Sequence, residues 1–431
     1  MGDVCSSTEN LEKGTRVIVS VIESEKAIKN EKYECDKEIF NVVYKLWDEV
    51  SVPEERRKGR KHDHEKIKEI NSYLKKNADS ICRQHSNIEI IRGSLVRIKT
   101  NKAKKVQTIS EPCIAIYCSY KGVVPIGEKE FPRVMDGYAT DIREGFFHLH
   151  KNYDIYANSD DLLEPLRMGA SISKDQDGTG KGTLGGFVEL KNGRVGFLTC
   201  AHIFHNAEEM MQRPLDIPFP IVQPSASKEG SQRCGKILKS AFPFSTIVDG
   251  VSVDATVVEL TERVPDRALF ANLTTARLKT LGLSRSRIPR VCCGKMRSME
   301  EAQDRPNEKA LKCGMESGLT LGGVEESDSY VRLRNISPTG QRFYTMYMSQ
   351  LAIRGRDGTR FSKKGDSGAL VFQFKDLHNL KCIGMVVGEG GGFSYATPIT
   401  SVLEALKVKL KDFQSKIKGT SIKHWKKYLF Y

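Results

Sequence analysis

The chain has 431 residues, more than one ordinary domain usually holds, so its length predicts two folded units. Apolar residues make up 39% and charged residues 28%, a globular composition that excludes a mostly disordered chain. No apolar run is long enough for a membrane helix, and the N-terminal residues show no signal-peptide pattern. Eleven cysteines without C-x-x-C pairs indicate free thiols in a reducing compartment. We therefore predict a soluble protein of the cytoplasm, with the nucleus as the alternative location.

The net charge of +14 is spread unevenly along the chain. Residues 1–165 carry 28 basic and 28 acidic side chains and are neutral. Residues 406–431 carry eight lysines against Asp412 alone, which gives this short segment +7, half of the total excess. A local basic feature argues against a DNA-binding body. We predict no obligate nucleic-acid partner and a weak contact between this basic tail and an anionic surface.

Residues 1–165 show the patterns of a small α+β module. Apolar residues at helical spacing predict helices over 39–50 and 64–83, and extended patterns follow at 88–98 and 113–118. The basic run at 56–61 is interpreted as a solvated loop, with nuclear import or nucleic-acid contact as the alternative. His148 and His150 are interpreted as surface histidines, because no third metal ligand stands at a fixed spacing. The role of this module is left open.

From residue 166 onwards, short apolar runs alternate with glycine-rich or polar breaks, which predicts a barrel or sandwich of strands in a domain at 166–410. Only the end of the chain shows a helical stripe, and Gly419 is expected to end it. The remaining residues, 411–431, form the predicted basic tail. The stripe consists of Leu403, Leu406, Leu410, Phe413 and Ile417.

Nucleophilic catalysis is indicated by a histidine, an aspartate and a serine, each beside a predicted strand. Ser367 needs a base to become a nucleophile, and His202 has a side chain whose ordinary pKa suits that task. A buried Asp254 would fix the histidine tautomer. The amides of Gly365 and Ser367 would face the oxyanion of a tetrahedral intermediate. Three segments carry these residues: LTCAHIF at 198–204, SVDATVV at 252–258 and KGDSGALV at 364–371.

The motifs TCAH and KGDSGALVF resemble the two signature motifs of the chymotrypsin/trypsin-like serine proteases, in the family's order of His, Asp and Ser. Segment 312–324 resembles the glycine-rich strand pair that opens the second barrel of that family. Segment 382–406 resembles its cleft strand, closing strand and C-terminal helix. The resemblance covers residues 166–410 and points to an intracellular, disulfide-free branch of the PA clan (peptidase family S1). It implies a mainly β fold class: a two-barrel chymotrypsin-like domain preceded by the α+β module.

This resemblance implies a serine endopeptidase, a hydrolase that acts on proteins or peptides without a metal or an organic cofactor. His202 would be the general base, Asp254 its orienting acid and Ser367 the nucleophile, with Gly365 and Ser367 forming the oxyanion hole. Asp249 is a rival for the acid, but Asp254 has the strand context of the family. Activation by a freed N-terminus is not expected, because 160 residues precede the barrel.

The expected substrate pocket departs from that of trypsin. Phe361 stands six residues before the serine, where trypsin-like members carry an acid, so a preference for Lys or Arg is not expected. Val387 and Gly388, on the strand that resembles the cleft strand, are the other predicted pocket residues. Phe393 is a candidate for the place of pocket-lining glycines. Asp366 is expected to close an internal contact behind the oxyanion loop.

Two alternatives stay open at this point. One is a catalytically inactive protein of protease fold that binds peptides or partners in the cleft. The other is processing associated with nucleic acid, which depends only on the basic run and the tail.

Overall fold

The computed structural model describes residues 61–100, 106–150, 161–174, 180–206, 209, 219–225, 230–261, 263–271, 278–279, 281, 295–336, 342–375 and 380–413. The predicted helix over 39–50, most of the basic run at 56–61 and the tail beyond residue 413 lie outside the described residues. In the part of the chain that is described, no helix has the length and apolar character needed to cross a bilayer.

The N-terminal part is a helix packed on strands, as the sequence predicts. Its apolar face buries Ile67, Ile70 and Leu74 against the first two strands. The guanidinium of Arg332 donates to the carbonyl oxygens of Cys82, His85 and Ile88 and so satisfies the C-terminal end of the helix. The elements are α1 (Lys61–Gln84), β1 (Ile88–Thr100), β2 (Val106–Cys118), β3 (Val134–Met135), β4 (Tyr138–Glu144) and β5 (Phe147–Leu149).

A first barrel follows. The strands of this region are β6 (Leu166–Met168), β7 (Ser171–Lys174), β8 (Gly182–Thr183), β9 (Phe187–Glu189), β10 (Val195–Thr199), β11 (Pro220–Gln223), β12 (Gln232–Ala241), β13 (Ile247–Val248), β14 (Val251–Ser252), β15 (Ala255–Leu260) and β16 (Pro265–Phe270). In the barrel the strand order is β9, β10, β15, β12, β11, β7, β8. The residues between β8 and β9 close the ring, because Gly185 N–H donates to Leu198 O and Leu198 N–H donates to Gly186 O, both at 2.8 Å.

The second barrel is closed by direct strand pairing. The elements of this region are α2 (Met299–Gln303), β17 (Lys309–Gly314), β18 (Gly318–Ile336), β19 (Arg342–Gly355), β20 (Leu370–Phe374), β21 (Lys381–Gly390), β22 (Phe393–Pro398), α3 (Ile399–Leu406) and β23 (Lys409–Leu410). The strand order is β17, β20, β21, β22, β19, β18, and β18 pairs back onto β17. The mainly β, two-barrel fold class with a small α+β part ahead of it is therefore confirmed.

The N-terminal part is joined to the second barrel by two strand pairings. Strand β18 is long enough to extend beyond the barrel, and β1 pairs with its extension in antiparallel fashion at Ile90–Val331 and Ile91–Tyr330. Strand β5 pairs antiparallel with β21. Residues from before the first barrel thus reach the face of the second one. The domain boundary at residue 165 stays a prediction.

The predicted helical stripe at the C-terminus is wrong at Leu410 and Phe413, while Ile417 and Gly419 lie outside the described residues. Helix α3 ends at Leu406, because Lys407 adopts a left-handed conformation with φ +58°. Residues Lys409–Leu410 instead pair with Glu189 and Val188 of β9. Leu410 is apolar because it packs on the first barrel as part of a strand, and its spacing from Leu406 fits a helix only by coincidence. Tertiary pairing thus overrode the local pattern.

Candidate active site

The three predicted catalytic residues meet between the two barrels. His202 lies in the short 3₁₀ turn Ala201–Ile203 directly after β10, and Asp254 lies between β14 and β15 of the same barrel. Ser367 comes from the second barrel, just before β20. All three side chains are buried. Their separation along the chain exceeds 50 residues in each pair that bonds, so the fold and not local sequence brings them together.

The side chains form one continuous line of hydrogen bonds. His202 Nε2 lies 2.7 Å from Ser367 Oγ, and His202 Nδ1 lies 2.6 Å from Asp254 Oδ2. The other carboxylate oxygen, Oδ1, accepts from the backbone N–H of Ala201 at 2.8 Å and of His202 at 3.1 Å. The Tyr347 hydroxyl donates to Asp254 Oδ2 at 2.8 Å. The carboxylate is thus held by four donors.

Asp254 is poised to remain ionised. Burial alone would raise the pKa of this carboxyl, but the His202 imidazole and the donors around it lower the pKa below its ordinary value. An ionised Asp254 accepts a hydrogen bond from His202 Nδ1–H, which leaves Nε2 as the hydrogen-bond acceptor that faces Ser367 Oγ. The rival Asp249 is exposed in the turn between β13 and β14, with φ +50°.

Two glycines shape the loop that carries Ser367. Gly365 and Gly368 have φ +102° and +92°, which side chains rarely adopt. A Cβ on Gly368 would lie 2.3 Å from Thr199 Oγ1, so only glycine fits between the loop and β10. The Thr183 hydroxyl donates to Gly365 O at 2.9 Å, and Thr183 N–H donates to Ser367 O at 2.8 Å. The first barrel therefore braces the loop of the second.

Asp366 is the internal anchor of this loop. It is fully buried, and its Oδ2 lies 2.8 Å from Lys312 Nζ, which is also fully buried. Backbone N–H groups of Lys363, Glu316 and Ser317 donate to the same carboxylate at 2.9–3.1 Å. Burial opposes ionisation of Asp366, but the Lys312 ammonium and these donors lower the pKa of the carboxyl below its ordinary value. Lys312 comes from β17, so this ion pair is built within the chain.

The predicted pocket residues fall in two places. Val387 and Gly388 lie on β21 beside the nucleophile, and Val387 O accepts from the Ser367 hydroxyl at 3.1 Å. Phe361 is buried in an apolar cluster of the second barrel and lies near Lys312. Its neighbour Ser362 has its hydroxyl bonded to Ser394 Oγ at 2.6 Å.

The cleft beside Ser367 contains residues of the chain's own N-terminal part. His150 is fully buried, so its interpretation as a surface histidine is wrong, while His148 is half-buried. The His150 ring lies 2.7 Å from Ser362 Oγ through Nε2. Its carbonyl oxygen accepts from Gly365 N–H at 2.5 Å, and its own N–H donates to Val387 O at 3.1 Å.

A cysteine stands close to the histidine and the acid. Cys200 Sγ, His202 and Asp254 offer ligand atoms within 4.8 Å of one another. The thiol donates to Val386 O at 3.1 Å, and burial raises its pKa well above the ordinary value, which disfavours the thiolate that binds metals. Both ring nitrogens of His202 are engaged with Ser367 and Asp254. These donors therefore fit a proton-transfer line better than a metal centre.

Sequence reasoning missed three side chains and one backbone segment of this site. Tyr347 and Ser362 have no local motif that distinguishes them. Lys312 could have been noticed, because it is a lysine between apolar residues of a predicted strand and the KGDSGALV motif contains an aspartate that needs a cation. Residues 147–150 had none, because their pairing with β21 joins segments about 240 residues apart.

No protein-family model and no curated protein sequence matches the chain. It is similar in structure to Thermobifida fusca Protease A, with 14% identity and a TM-score of 0.34 over 58% of this chain and 100% of that one. It is similar to a glutamic acid specific serine protease described as using a histidine triad in substrate binding (16% identity, TM-score 0.33, 57% and 100% covered). It is also similar to a Cellulomonas bogoriensis chymotrypsin, with 13% identity, a TM-score of 0.34 and 58% and 100% covered.

Proposed function

We propose that the chain is a serine endopeptidase that hydrolyses peptide bonds of proteins or peptides. The observation that carries the proposal is the line Ser367 Oγ–His202 Nε2 at 2.7 Å and His202 Nδ1–Asp254 Oδ2 at 2.6 Å. A serine hydroxyl within hydrogen-bond reach of a histidine, itself oriented by a buried carboxylate, is the arrangement that nucleophilic acyl transfer needs. The chemistry uses these side chains and backbone amides, with no metal or organic cofactor assigned.

The proposed reaction runs in two acyl-transfer steps. His202 Nε2 takes the proton of Ser367 as Oγ attacks the peptide carbonyl carbon. The oxyanion that forms accepts N–H bonds from Gly365 and Ser367, and His202 returns the proton to the leaving amine. Water then attacks the acyl-enzyme ester by the same proton route. Asp254 stabilises the imidazolium in both steps, and one oxyanion donor contributes about 10²–10³-fold to the rate.

We propose a primary pocket that does not select Lys or Arg. Phe361 stands where an acid would be required. The Ser362 hydroxyl lies next to the His150 ring and is bonded to the Ser394 hydroxyl. Hydroxyls recognise a neutral polar side chain better than a cation, because they bring no opposite charge. The cytoplasmic location and the contact of the tail with an anionic surface remain predictions.

The alternative function is peptide binding by an inactive site. It is favoured by one observation, the occupation of the cleft by residues 147–150. A binding protein needs the strand pairing on β21 but does not need a reactive Ser367, so reactivity of the serine separates the two functions.

Reactivity can be tested with a fluorophosphonate probe, which esterifies only an activated serine. The full chain and the full chain with His150→Gly, which removes the imidazole next to Ser362, are labelled in parallel with Ser367→Ala and His202→Ala. We expect labelling at Ser367 in at least the His150→Gly chain and none in Ser367→Ala, since loss of the nucleophile costs about 10⁶-fold in triad enzymes.

Ser240→Ala is the matched control, because it removes a serine hydroxyl of the first barrel that bonds Thr256 away from the site. Folding of every variant is checked by circular dichroism. Folded proteins that stay unlabelled, with or without His150, would refute the peptidase and leave peptide binding as the function.

A further inference from the structure

Strand β5 lies along the cleft as a bound peptide would. It pairs antiparallel with β21 through Leu149–Gly388, His148–Glu389 and Phe147–Gly390. Main-chain pairing to the edge of a sheet is a general way to hold an extended peptide, with alternate side chains left to enter pockets. The pairing ends beside Ser367, because Val387 also accepts from the serine hydroxyl.

Two glycines of β21 permit this close approach. A Cβ on Gly388 would lie 2.1 Å from His148 O, and one on Gly390 would lie 2.2 Å from Phe146 O. These distances are far inside contact range, so the strand next to the nucleophile is shaped for a backbone lying on it.

The residue after β5, His150, places its carbonyl oxygen next to the loop that carries Gly365 and Ser367. The N–H of this residue donates to Val387 O at 3.1 Å, which continues the β5 pairing by one residue. Its carbonyl oxygen then accepts from Gly365 N–H at 2.5 Å. This amide is the same donor that the proposed mechanism assigns to the oxyanion. A carbonyl in this place is the one that an activated Ser367 would attack.

The His150 side chain fills a polar pocket. It is fully buried, with Nε2 2.7 Å from Ser362 Oγ. Because the Ser362 hydroxyl donates to Ser394, Ser362 Oγ acts as the acceptor for Nε2–H. Burial lowers the pKa of the ring to about 3, helped by Lys312 and the His148 and His202 rings and opposed by Asp366, so the ring is neutral.

We propose that His150 is the residue on the acyl side of a peptide bond that the chain cuts in itself, and that its pocket selects neutral hydrogen-bonding side chains such as histidine. The proposal rests on the proposed peptidase function. Ser367 Oγ bonds to the His150 carbonyl carbon, the bond to the nitrogen of Lys151 breaks, and His202 passes the serine proton to that amine. Water then hydrolyses the ester, which leaves a carboxylate on His150 and a new N-terminus at Lys151.

The experiment follows the purified full chain by intact mass and by N-terminal peptide analysis over time. We expect a new N-terminus at Lys151 in the wild type and an intact chain in Ser367→Ala. The rate constant should not change with protein concentration, because the bond and the nucleophile belong to one molecule. Ser362→Val should slow the cleavage about tenfold, the effect of losing one buried hydrogen bond.

His150→Gly should stay uncut at this position, and His64→Ala, a histidine of α1 that contacts Glu326, should be cut like the wild type. An intact wild type whose His150→Gly variant labels with fluorophosphonate would overturn self-cleavage while the peptidase stands. Cleavage elsewhere, or a rate constant proportional to concentration, would also overturn it. If neither chain is cut or labelled, the peptidase and the self-cleavage fail together.

Discussion

Asp254 and Asp366 are two fully buried carboxylates of one candidate site, and both have a pKa below the ordinary value. Their partners differ. Asp254 faces the imidazole of His202, which also lies within hydrogen-bond distance of Ser367 Oγ, whereas Asp366 faces the ammonium of Lys312. The first pair is suited to moving a proton, and the second is suited to holding a loop.

The two carboxylates also belong to different barrels. Asp254 bonds to the backbone of the turn that carries His202, so it fixes the direction of a side chain. Asp366 accepts from the backbone N–H of Lys363 in its own loop and of Ser317 in the turn after β17, and it pairs with Lys312 of β17, so it ties the loop that carries Ser367 to that strand. The comparison predicts that damage to the first pair impairs catalysis more than folding, while damage to the second impairs both.

The largest effect on activity is expected from Asp254→Asn. The amide has the size of the carboxylate, but it carries no negative charge and has an NH₂ group in place of one oxygen. It therefore favours the wrong tautomer of His202 and no longer stabilises the imidazolium. Loss of about 10⁴-fold in rate is typical of this change in a triad. The fluorophosphonate labelling rate, measured in a His150→Gly background, should fall by that order.

Asp249→Asn is the control for this prediction, because Asp249 is exposed in a turn with φ +50°, a conformation that asparagine tolerates. Equal labelling rates in Asp254→Asn and Asp249→Asn would show that Asp254 does not orient His202.

The sequence allowed these two carboxylates to be chosen because each belongs to a short motif next to a strand. The SVDATVV segment carries Asp254 into β15, and KGDSGALV carries Asp366 and Ser367 into β20. Helix α1 was predictable for the same reason, since its apolar periodicity is local and uninterrupted. Burial of these elements against their neighbours then follows from pattern alone.

The remaining features depend on pairings between distant segments. The place of β5 on β21 is decided by which strand edge is left open after the second barrel closes, and no local pattern encodes that. The C-terminal stripe failed for a related reason, because Leu410 is placed by pairing with Val188 and not by helical periodicity. Tyr347 reaches Asp254 from β19, whose register with its neighbours places the hydroxyl there.

The next effect in size is expected from Lys312→Met. It leaves Asp366 charged and buried without its cation, which costs about 3–5 kcal/mol of unfolding free energy when a buried ion pair is broken. The loop amides lose their anchor, and labelling of Ser367 should fall about 10²–10³-fold, the cost of losing an oxyanion donor. Urea denaturation and the labelling rate, again with His150→Gly, measure the two effects.

Lys309→Met, an exposed lysine of the same strand, is the matched control. Adding Asp366→Asn to Lys312→Met should restore most of the stability, because no unpaired charge remains, while labelling stays slow. If Lys312→Met alone were as stable as Lys309→Met, Lys312 would not compensate the charge of Asp366.

The smallest effect is expected from Tyr347→Phe, which removes one of the four donors to Asp254. Tyr347 acts as a positioning residue through the carboxylate, so the labelling rate in the His150→Gly background should fall about tenfold, the value of one hydrogen bond to a charged group. The lost donor also raises the pKa of Asp254 towards its ordinary value. A carboxyl with a lowered pKa in the folded state stabilises the fold above its unfolded pKa, near 3.8, and loses that contribution as pH falls through the folded pKa.

The stability gap between the wild type and Tyr347→Phe should therefore be widest near pH 7 and should narrow in acid below about pH 4. Tyr395→Phe is the control, because within the described residues the buried Tyr395 hydroxyl has no hydrogen-bond partner to lose. A purely structural role for Tyr347 would give a gap that does not depend on pH, since packing of the ring is the same in both protonation states of Asp254. Urea midpoints of the three proteins from pH 3 to pH 7 distinguish a hydroxyl that stabilises the catalytic carboxylate from one that only fills space.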